Sequence, residues 1–470
     1  MKPLPAAESG FHALVVRQDP FSSNAFFCRG ESSFVKVFSA ELLEERKAYF
    51  VQAECRETPS GLEAHAEKTV PLAEKEETAL KQLIEVQVAE QTACREPPLL
   101  FEDEGLRKLI PSAKKCAQRI MRAAQQLRPI VLRHHDDGDG VCGGLCIRAA
   151  IIDYFKRCRI PSFNSQLRIV QTGSSIYSVS DARQDALEAG PVKPLLVLVD
   201  FGSSDESNES REARQEALAS GFEILCIDHH PYLQKPSEVS ELVSPFVFGL
   251  NSDYCAGLLA YEVASAIADV PVEWAWTALK SDNSRFARRE FEKQATALDY
   301  LILDSPTPRP LDYYEQLLSD NPSVENAFAV ASAKVARATE NAIKHAEVID
   351  LGPGKALLVK VGKVLSKKVR YPSKGRLMNA LHTKYSEKLD CPLASIGYEG
   401  DKIVLRANRK MAAAGFDANV IIQELKREMP SVVESGGGHN VAASMKVKPE
   451  KASEVVQVFL VKARQQLANR

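Results

Sequence analysis

Three apolar runs in this chain each stop at residues that can hold a metal ion, and no other feature constrains the fold as strongly. Pro129-Ile130-Val131-Leu132 leads into His134-His135-Asp136-Asp137-Gly138-Asp139-Gly140. Leu195-Leu196-Val197-Leu198-Val199 ends at Asp200, and Phe222-Glu223-Ile224-Leu225-Cys226-Ile227 runs into Asp228-His229-His230. Short, unbroken apolar runs read as strands buried on both faces, as in a parallel sheet covered by helices. Ligands collect at the carboxyl edge of such sheets. The predicted fold is therefore α/β, with a doubly wound parallel-sheet domain carrying one site at that edge. Oxygen and imidazole ligands without thiolates suit a hard or borderline divalent ion such as Mn²⁺ or Mg²⁺ better than a structural zinc.

The rest of the chain divides around that domain. At 470 residues it is too long for one core. Short strand candidates at His12–Arg17, Ala25–Arg29, Phe34–Phe38, Lys47–Glu57 and Leu62–Val70 predict an OB-like β-barrel over residues 1–72. Its aromatics, Phe26, Phe27, Phe34, Phe38, Tyr49 and Phe50, are candidates for core or for base stacking, with core favoured for most. Residues 73–128 predict helices interrupted at Pro97-Pro98, a helical connector. The doubly wound α/β domain takes residues 129–320 and a linker helix 321–350. A smaller α/β domain takes 351–470, with strands Ala356–Val361, Leu393–Tyr398 and Lys402–Ala407, a Gly-rich turn at 436–438 and a last helix at Lys451–Ala468.

Charge and cysteine content narrow the function. The net charge of -2 hides a basic block: Lys355 to Lys410 holds 14 Lys or Arg against 4 Asp or Glu, a candidate surface for a polyanion. Ten cysteines lack any C-x-x-C pair, and Cys142 and Cys146 read as buried small hydrophobes. That argues for a reducing compartment. The N-terminus shows no signal-peptide pattern and no stretch is long and apolar enough for a membrane span, so the expected location is cytoplasmic.

Within the first cluster, His135, Asp137 and Asp139 alternate, so an extended backbone would point all three the same way. Gly138 and Gly140 permit a tight turn into a helix beginning near Val141. Carboxylates this close repel, and a bound cation removes that cost. In the second cluster, Asp228 and His230 face one side and His229 the other; either histidine has the chemistry to bind metal or contact phosphate. Five of the nine histidines fall in three such clusters, which chance placement does not explain. Asp200 precedes a Gly-Ser-Ser turn and can bridge two ions. Asp282, in Lys280-Ser281-Asp282-Asn283, is a metal candidate with helix capping as its alternative. Gly436-Gly437-Gly438-His439-Asn440 offers backbone N–H groups to an anion, with His439 as a further donor.

Taken in order, His135-x-Asp137-x-Asp139-Gly140, Asp200, Asp228-His229-His230 and Gly437-Gly438-His439-x-x-Ala442-Ala443 resemble the motifs of the DHH phosphoesterase superfamily with its DHH-associated C-terminal domain, over about residues 125–465. The wording of the first motif and the barrel-like N-terminus resemble archaeal RecJ-like nucleases. The resemblance implies a two-metal, Mn²⁺- or Mg²⁺-dependent exonuclease on single-stranded RNA or DNA. Under it His135, Asp137, Asp139, Asp200, His229 and Asp282 are metal ligands, and Asp228 orients the first histidine of the DHH triplet. His230 sits at the scissile phosphate, and Arg406, Gly437, Gly438 and His439 contact substrate. Two departures stand out: bacterial RecJ has Asp at the position of His135, and Asp282 lacks the usual flanking residues. The same superfamily contains hydrolases of small oligonucleotides and cyclic dinucleotides. It also contains replisome scaffolds that bind helicase-associated proteins, so replication or repair proteins such as GINS are expected partners.

Overall fold

Alternation of apolar and polar residues builds the N-terminal β domain. In the computed structural model, residues 10–468 are described apart from 20–21, 32, 59–60, 162–165, 175, 190–191, 204–207, 233, 366–369, 399 and 439. Strands β1 (Phe11–Gln18), β2 (Ala25–Arg29), β3 (Phe34–Phe38), β4 (Ala48–Thr58) and β5 (Gly61–Pro71) close into a barrel in the order β1-β2-β3-β5-β4. Val35 and Val37 point into its core with Ala13, Val15, Phe26, Cys28 and Val51. The first helices, α1 (Glu74–Gln91) and α2 (Glu104–Gln125), flank the proline pair as expected.

The barrel is fixed to these helices by a buried arginine. Arg29 donates to Gln91 Oε1 at 2.7 Å and also to Gln125, whose amide donates to Tyr154 Oη at 2.8 Å. The Arg29 guanidinium lies 4.9 Å from the centroid of Phe34. Phe26, Phe27, Phe34 and Tyr49 are buried, while Phe38 and Phe50 are half-buried, and Phe38 stacks on His65 at 4.7 Å. Most of the barrel's rings are therefore packing, and the β2–β3 surface around Arg29 faces protein.

The central sheet contains β6 (Ile130–His135), β7 (Leu167–Thr172), β8 (Leu195–Val199), β9 (Glu223–Ile227) and β10 (Glu241–Val243), all parallel, in the order β10-β9-β8-β6-β7. From β6 the chain moves outward to β7 and then returns to the other side of β6 for β8. That reversal leaves a crevice at the carboxyl ends of β6 and β8, where ligands bind in sheets of this type. Helices α4 (Val179–Ala189) and α5 (Asn208–Ala219) cover one face through Ala182, Ala213 and Ala217. On the other face, α3 (Gly138–Arg157) lies close to the sheet and to α6 (Ala256–Ser265): a Cβ on Gly143 would come within 2.6 Å of Val199 and 3.4 Å of Ala260. Among the described residues, no helix is long and apolar enough to cross a membrane.

The chain divides into two compact units, residues 1–295 with 310–315, and residues 296–309 with 316–470. The second unit is built on β11 (Ala346–Asp350), β12 (Lys355–Lys360), β13 (Leu393–Tyr398), β14 (Lys402–Ala407), β15 (Val433–Gly438) and β16 (Ala442–Val447), in the order β11-β12-β13-β14-β16-β15. Two expectations need correction here. The linker helix runs from Asn321 to Ile343 and stops short of Ile349, because residues 346–350 pair as β11 with the apolar β12. The glycine run is a strand, not a turn: Gly436, Gly437 and Gly438 pair with Met445, Ser444 and Ala443, and a Cβ on Gly436 would come within 2.6 Å of the Met445 Cβ. Small residues let β15 lie flat against β16.

One buried carboxyl makes the fold sensitive to pH. Glu262 on α6 is 1% exposed; its Oε1 accepts from Leu100 N at 3.2 Å and its Oε2 has no hydrogen-bond partner. Burial raises its pKa to about 7. The folded state therefore holds the proton more tightly than the unfolded chain. The resulting penalty is absent below the ordinary carboxyl range and grows as pH rises toward 7. Glu262→Gln should raise stability at pH 8 by roughly 2–3 kcal/mol and change it little at pH 4.5. Thermal unfolding at the two pH values checks this, and an equal effect at both would refute it.

Candidate metal centre

The first motif does not stay extended. Asp137 caps α3 by accepting from Gly140 N at 2.9 Å, so the helix begins at Gly138 instead of near Val141. An aspartate ahead of glycines favours such a cap over continued strand. Asp139 therefore lies in the first turn of α3 and does not alternate with its neighbours. His135 and Asp137 still meet, with Nδ1 and Oδ2 at 2.8 Å, and the same Nδ1 is 3.3 Å from Asp200 Oδ2.

Asp139 is held by a distant element. Its Oδ2 accepts from Ala256 N at 2.9 Å and its Oδ1 from Gly257 N at 2.8 Å, so this carboxylate caps the N-terminus of α6. A Cβ on Gly257 would come within 2.4 Å of the Ala278 Cβ and 2.9 Å of that carboxylate, so glycine stands there. Both N–H groups and the helix dipole favour negative charge at this point. From this position Asp139 Oδ2 lies 3.7 Å from His229 Nε2.

Asp200 is the hub. Its backbone takes a left-handed φ of 68°, turning the side chain back over the sheet edge. It belongs to two candidate ligand groups, His135 with Asp137 and Asp200, and Asp200 with His229 and His230, each with ligand atoms within 4.8 Å of one another. Asp200 Oδ1 is buried without a hydrogen-bond partner, 3.3 Å from His229 Nε2. His229 Nδ1 lies 2.9 Å from the Ser252 carbonyl, which can only accept. The Nε2 lone pair of neutral His229 then faces the carboxylates of Asp139 and Asp200. Only a proton or a cation satisfies that arrangement, and the donor set fits a divalent ion.

The second motif departs from expectation in one respect. Asp228 does not orient His229. Its Oδ1 accepts from His230 N at 3.1 Å and His230 Nδ1 at 2.8 Å, and its Oδ2 from Ser203 N at 2.9 Å and Ser203 Oγ at 2.7 Å. The carboxylate orients the second histidine of the pair, because Asp228 and His230 share a side of the chain while His229 turns toward Asp200. Ser203 and Ser252 complete the site and carry no signal in the sequence beyond turn composition. Asp282 stands at the carboxyl end of α7 (Val272–Ser281), with Oδ2 3.8 Å from His229 Nδ1. It is no N-cap; an anion at that helix end is disfavoured unless a cation offsets it.

Protonation follows this crowding. Burial raises the pKa of Asp139, and the charge of Asp200 adds to it; burial also raises Asp282, to about 7, against the pull of His229. Burial opposes charge on His135 and His229, yet Asp137 and Asp200 beside the first, and Asp200, Asp282 and Asp139 around the second, outweigh it and raise both. The imidazoles take up protons because the carboxylates lack enough positive charge.

The remaining sequence candidates lie in the second unit. Arg406 is half-buried, bonded to Asn379 and to the Leu405 carbonyl. Register places it opposite Ala442, next to Ala443, the partner of Gly438, so Arg406 and Gly438 share one end of the sheet with β16 between them. Gly437 faces Asn419 and Gln423 of the helix Ala418–Glu428. His439 lies outside the described residues.

No protein-family model matches the chain. The uncharacterised protein MJ1198 of Methanocaldococcus jannaschii is 26% identical over 432 residues, and the match covers 78% of this chain. The chain spans 56% of that relative's length. The DHH domain of PF0399, a protein described as belonging to a family of ribosomal proteins, superposes with a TM-score of 0.71 at 24% identity, covering 84% of this chain and all of that one. RecJ from Thermus thermophilus in complex with Mn²⁺ gives 0.51 at 14% identity, over 82% of this chain and 59% of RecJ. The fold is that of the DHH-domain proteins, in an arrangement shared with RecJ.

The carboxylate crowding can be measured. In EDTA, Asp282→Asn should raise Tm, because it removes one buried charge from an overcharged cluster. An ion at 100 times its Kd stabilises by about 2.7 kcal/mol, and the variant should lose most of the corresponding Tm gain in Mn²⁺. A variant that gains as much as the parent would place Asp282 outside the metal-binding group.

Proposed function

We propose that this protein is a divalent-metal-dependent phosphodiesterase that removes nucleotides from single-stranded RNA or DNA. The observation that carries the reading is Asp200, shared by two ligand groups at the crevice between β6 and β8. A carboxylate shared between His135 and Asp137 on one side and His229 and Asp139 on the other suits a pair of ions, with His230 left to the substrate. Divalent ions there would supply Lewis-acid activation of water and offset charge developing on the phosphoryl oxygens.

The chain's own residues set up the rest. His135, Asp137, Asp139, Asp200, His229 and Asp282 hold the ions. Asp139 is pinned by α6, so its position does not depend on them. Asp228 fixes His230 with the Nδ1 proton toward itself and leaves Nε2 for a phosphate oxygen or the departing oxygen. Burial disfavours charge on the His230 ring, and that contact outweighs it and raises the pKa, which suits the ring to donate a proton. In the second unit, Arg406, Gly437, Gly438 and His439 bind substrate phosphates. RecJ, which shares the fold, is described in complex with Mn²⁺, which supports that ion as the first choice.

The deciding assay combines single-stranded RNA and DNA labelled at either end, a dinucleotide and a cyclic dinucleotide, with Mn²⁺, Mg²⁺ or EDTA. Progressive shortening of a strand with Mn²⁺ supports the exonuclease. Cleavage of the small substrates alone moves the protein to an oligonucleotide or cyclic-dinucleotide hydrolase, and no cleavage of any substrate leaves a metal-binding scaffold for replication proteins such as GINS. Asp137→Ala should lower the rate by several orders of magnitude, roughly 10³-fold or more, because the ions supply both nucleophile and charge stabilisation. Near-parental activity in that variant would remove the metal site from the mechanism. His439→Ala should slow turnover while sparing metal content, read by metal analysis of the purified variant.

A further inference from the structure

Beyond Asp282 the chain runs Asn283-Ser284-Arg285-Phe286-Ala287-Arg288-Arg289, and all three arginines are exposed. Two of them rest on aromatic rings. The Arg288 guanidinium lies 3.7 Å from the centroid of Trp276 and that of Arg285 4.5 Å from Phe286. The rings support one another: Phe286 stacks on Phe101 at 4.6 Å and meets Tyr254 at 5.1 Å, and Trp276 lies 5.8 Å from Phe101. Trp276 is only 5% exposed, so the platform is part of the fold.

A guanidinium held over a ring face, as that of Arg288 is, still has N–H donors at its edge for an anion. Its torsions are already restricted, so less entropy is lost when it binds. Acids neutralise this row only in part. Arg285 Nε is 3.5 Å from the half-buried Asp253 and its side chain also meets the Tyr254 hydroxyl, whereas Arg288 Nη1 is 3.7 Å from the exposed Glu290, a loose contact that contributes little. The row is also tied to the metal centre. Ser284 Oγ donates to the Asp253 carbonyl at 2.6 Å, Arg285 N donates to Asp253 Oδ1 at 3.2 Å, and the adjoining Ser252 carbonyl lies 2.9 Å from His229 Nδ1.

We propose that Arg285, Arg288 and Arg289 form a ledge that holds the phosphodiester backbone of an oligonucleotide beyond the nucleotide at the metal centre. The ledge rests on the phosphodiesterase reading for its substrate. Planar forks match phosphate oxygens in pairs. Phe286 and Trp276 are already occupied by arginine and by other rings, so the ledge reads backbone and not base identity. Its occupant is an oligonucleotide several residues long, and its contribution grows with substrate length.

The experiment compares Arg288→Ala/Arg289→Ala, Arg289→Ala alone and Arg288→Lys/Arg289→Lys with the parent. Binding of a fluorescent single-stranded 12-mer is measured in EDTA at several salt concentrations, and KM is measured for the 12-mer and a dinucleotide in Mn²⁺. The double alanine variant should weaken 12-mer binding about ten-fold, and its log–log salt slope should fall by about 1.4, at about 0.7 per lost contact. Its loss on the 12-mer should exceed its loss on the dinucleotide, and the lysine pair should recover part of the binding. Arg289→Ala, which leaves Trp276 covered, should show about half the slope change. Unchanged 12-mer affinity and slope would overturn the ledge and leave the arginines as a docking face for an acidic protein. Equal losses on both substrates would overturn it too, by placing the arginines at the centre itself. Because binding is read in EDTA, a parent that binds the 12-mer through these arginines but cleaves nothing would sink the hydrolase reading and spare the ledge.

Discussion

Mutual repulsion among crowded carboxylates, two of them buried and two half-buried, governs this molecule. Asp137, Asp139, Asp200 and Asp282 converge on two imidazoles at one sheet edge. In water such a cluster is tolerable; in a buried crevice each added negative charge is costly unless something positive sits among them. The fold supplies part of the answer through the N-terminus of α6, which donates two N–H groups to Asp139. The proton uptake of His135 and His229 supplies another part. The raised pKa values of Asp139 and Asp282 are a third part, and a divalent cation among these groups would take the place of those protons.

The topology explains why those acids meet at all. His135, Asp200 and the Asp228-His229 pair end neighbouring strands, β6, β8 and β9, so backbone hydrogen bonding fixes their spacing before any side chain contributes. Central strands buried on both faces fix where these residues start, and Ser203 and Ser252 in the loops beyond then orient Asp228 and His229. The left-handed backbone at Asp200 is the one local departure, and it aims a single carboxylate between two histidines on different strands.

Much of this could be read from residue order. The apolar runs that end in acids located the sheet, its parallel sense and its ligand-bearing edge, because a strand buried on both faces leaves an unambiguous composition. The barrel strands were legible from alternation and turn residues. What failed were features decided by distant partners. Asp139 looks like one of three alternating ligands, yet its carboxylate is claimed by Ala256 and Gly257, more than a hundred residues away. Asp228 gave no hint that Ser203 would share it or that His230 would be its histidine. The glycine run looks like a turn because glycine composition cannot show that β16 lies alongside. Strand β11 was lost in a helical pattern because only its pairing with β12 makes it a strand.

Arg29 carries a consequence for how the N-terminal barrel behaves. Its bonds to Gln91 and Gln125, and the packing of Ala48 against Leu80 and Ile84, make the barrel surface and the first helices a single interior. These contacts tie the barrel to the helices that pack on the central sheet. The two should melt in one cooperative transition. Cutting the barrel away would uncover apolar helix surface and strand two glutamines, so a truncated chain would report lost solubility before it reported lost recognition. The barrel is better regarded as a wall of the first unit than as an appendage to it.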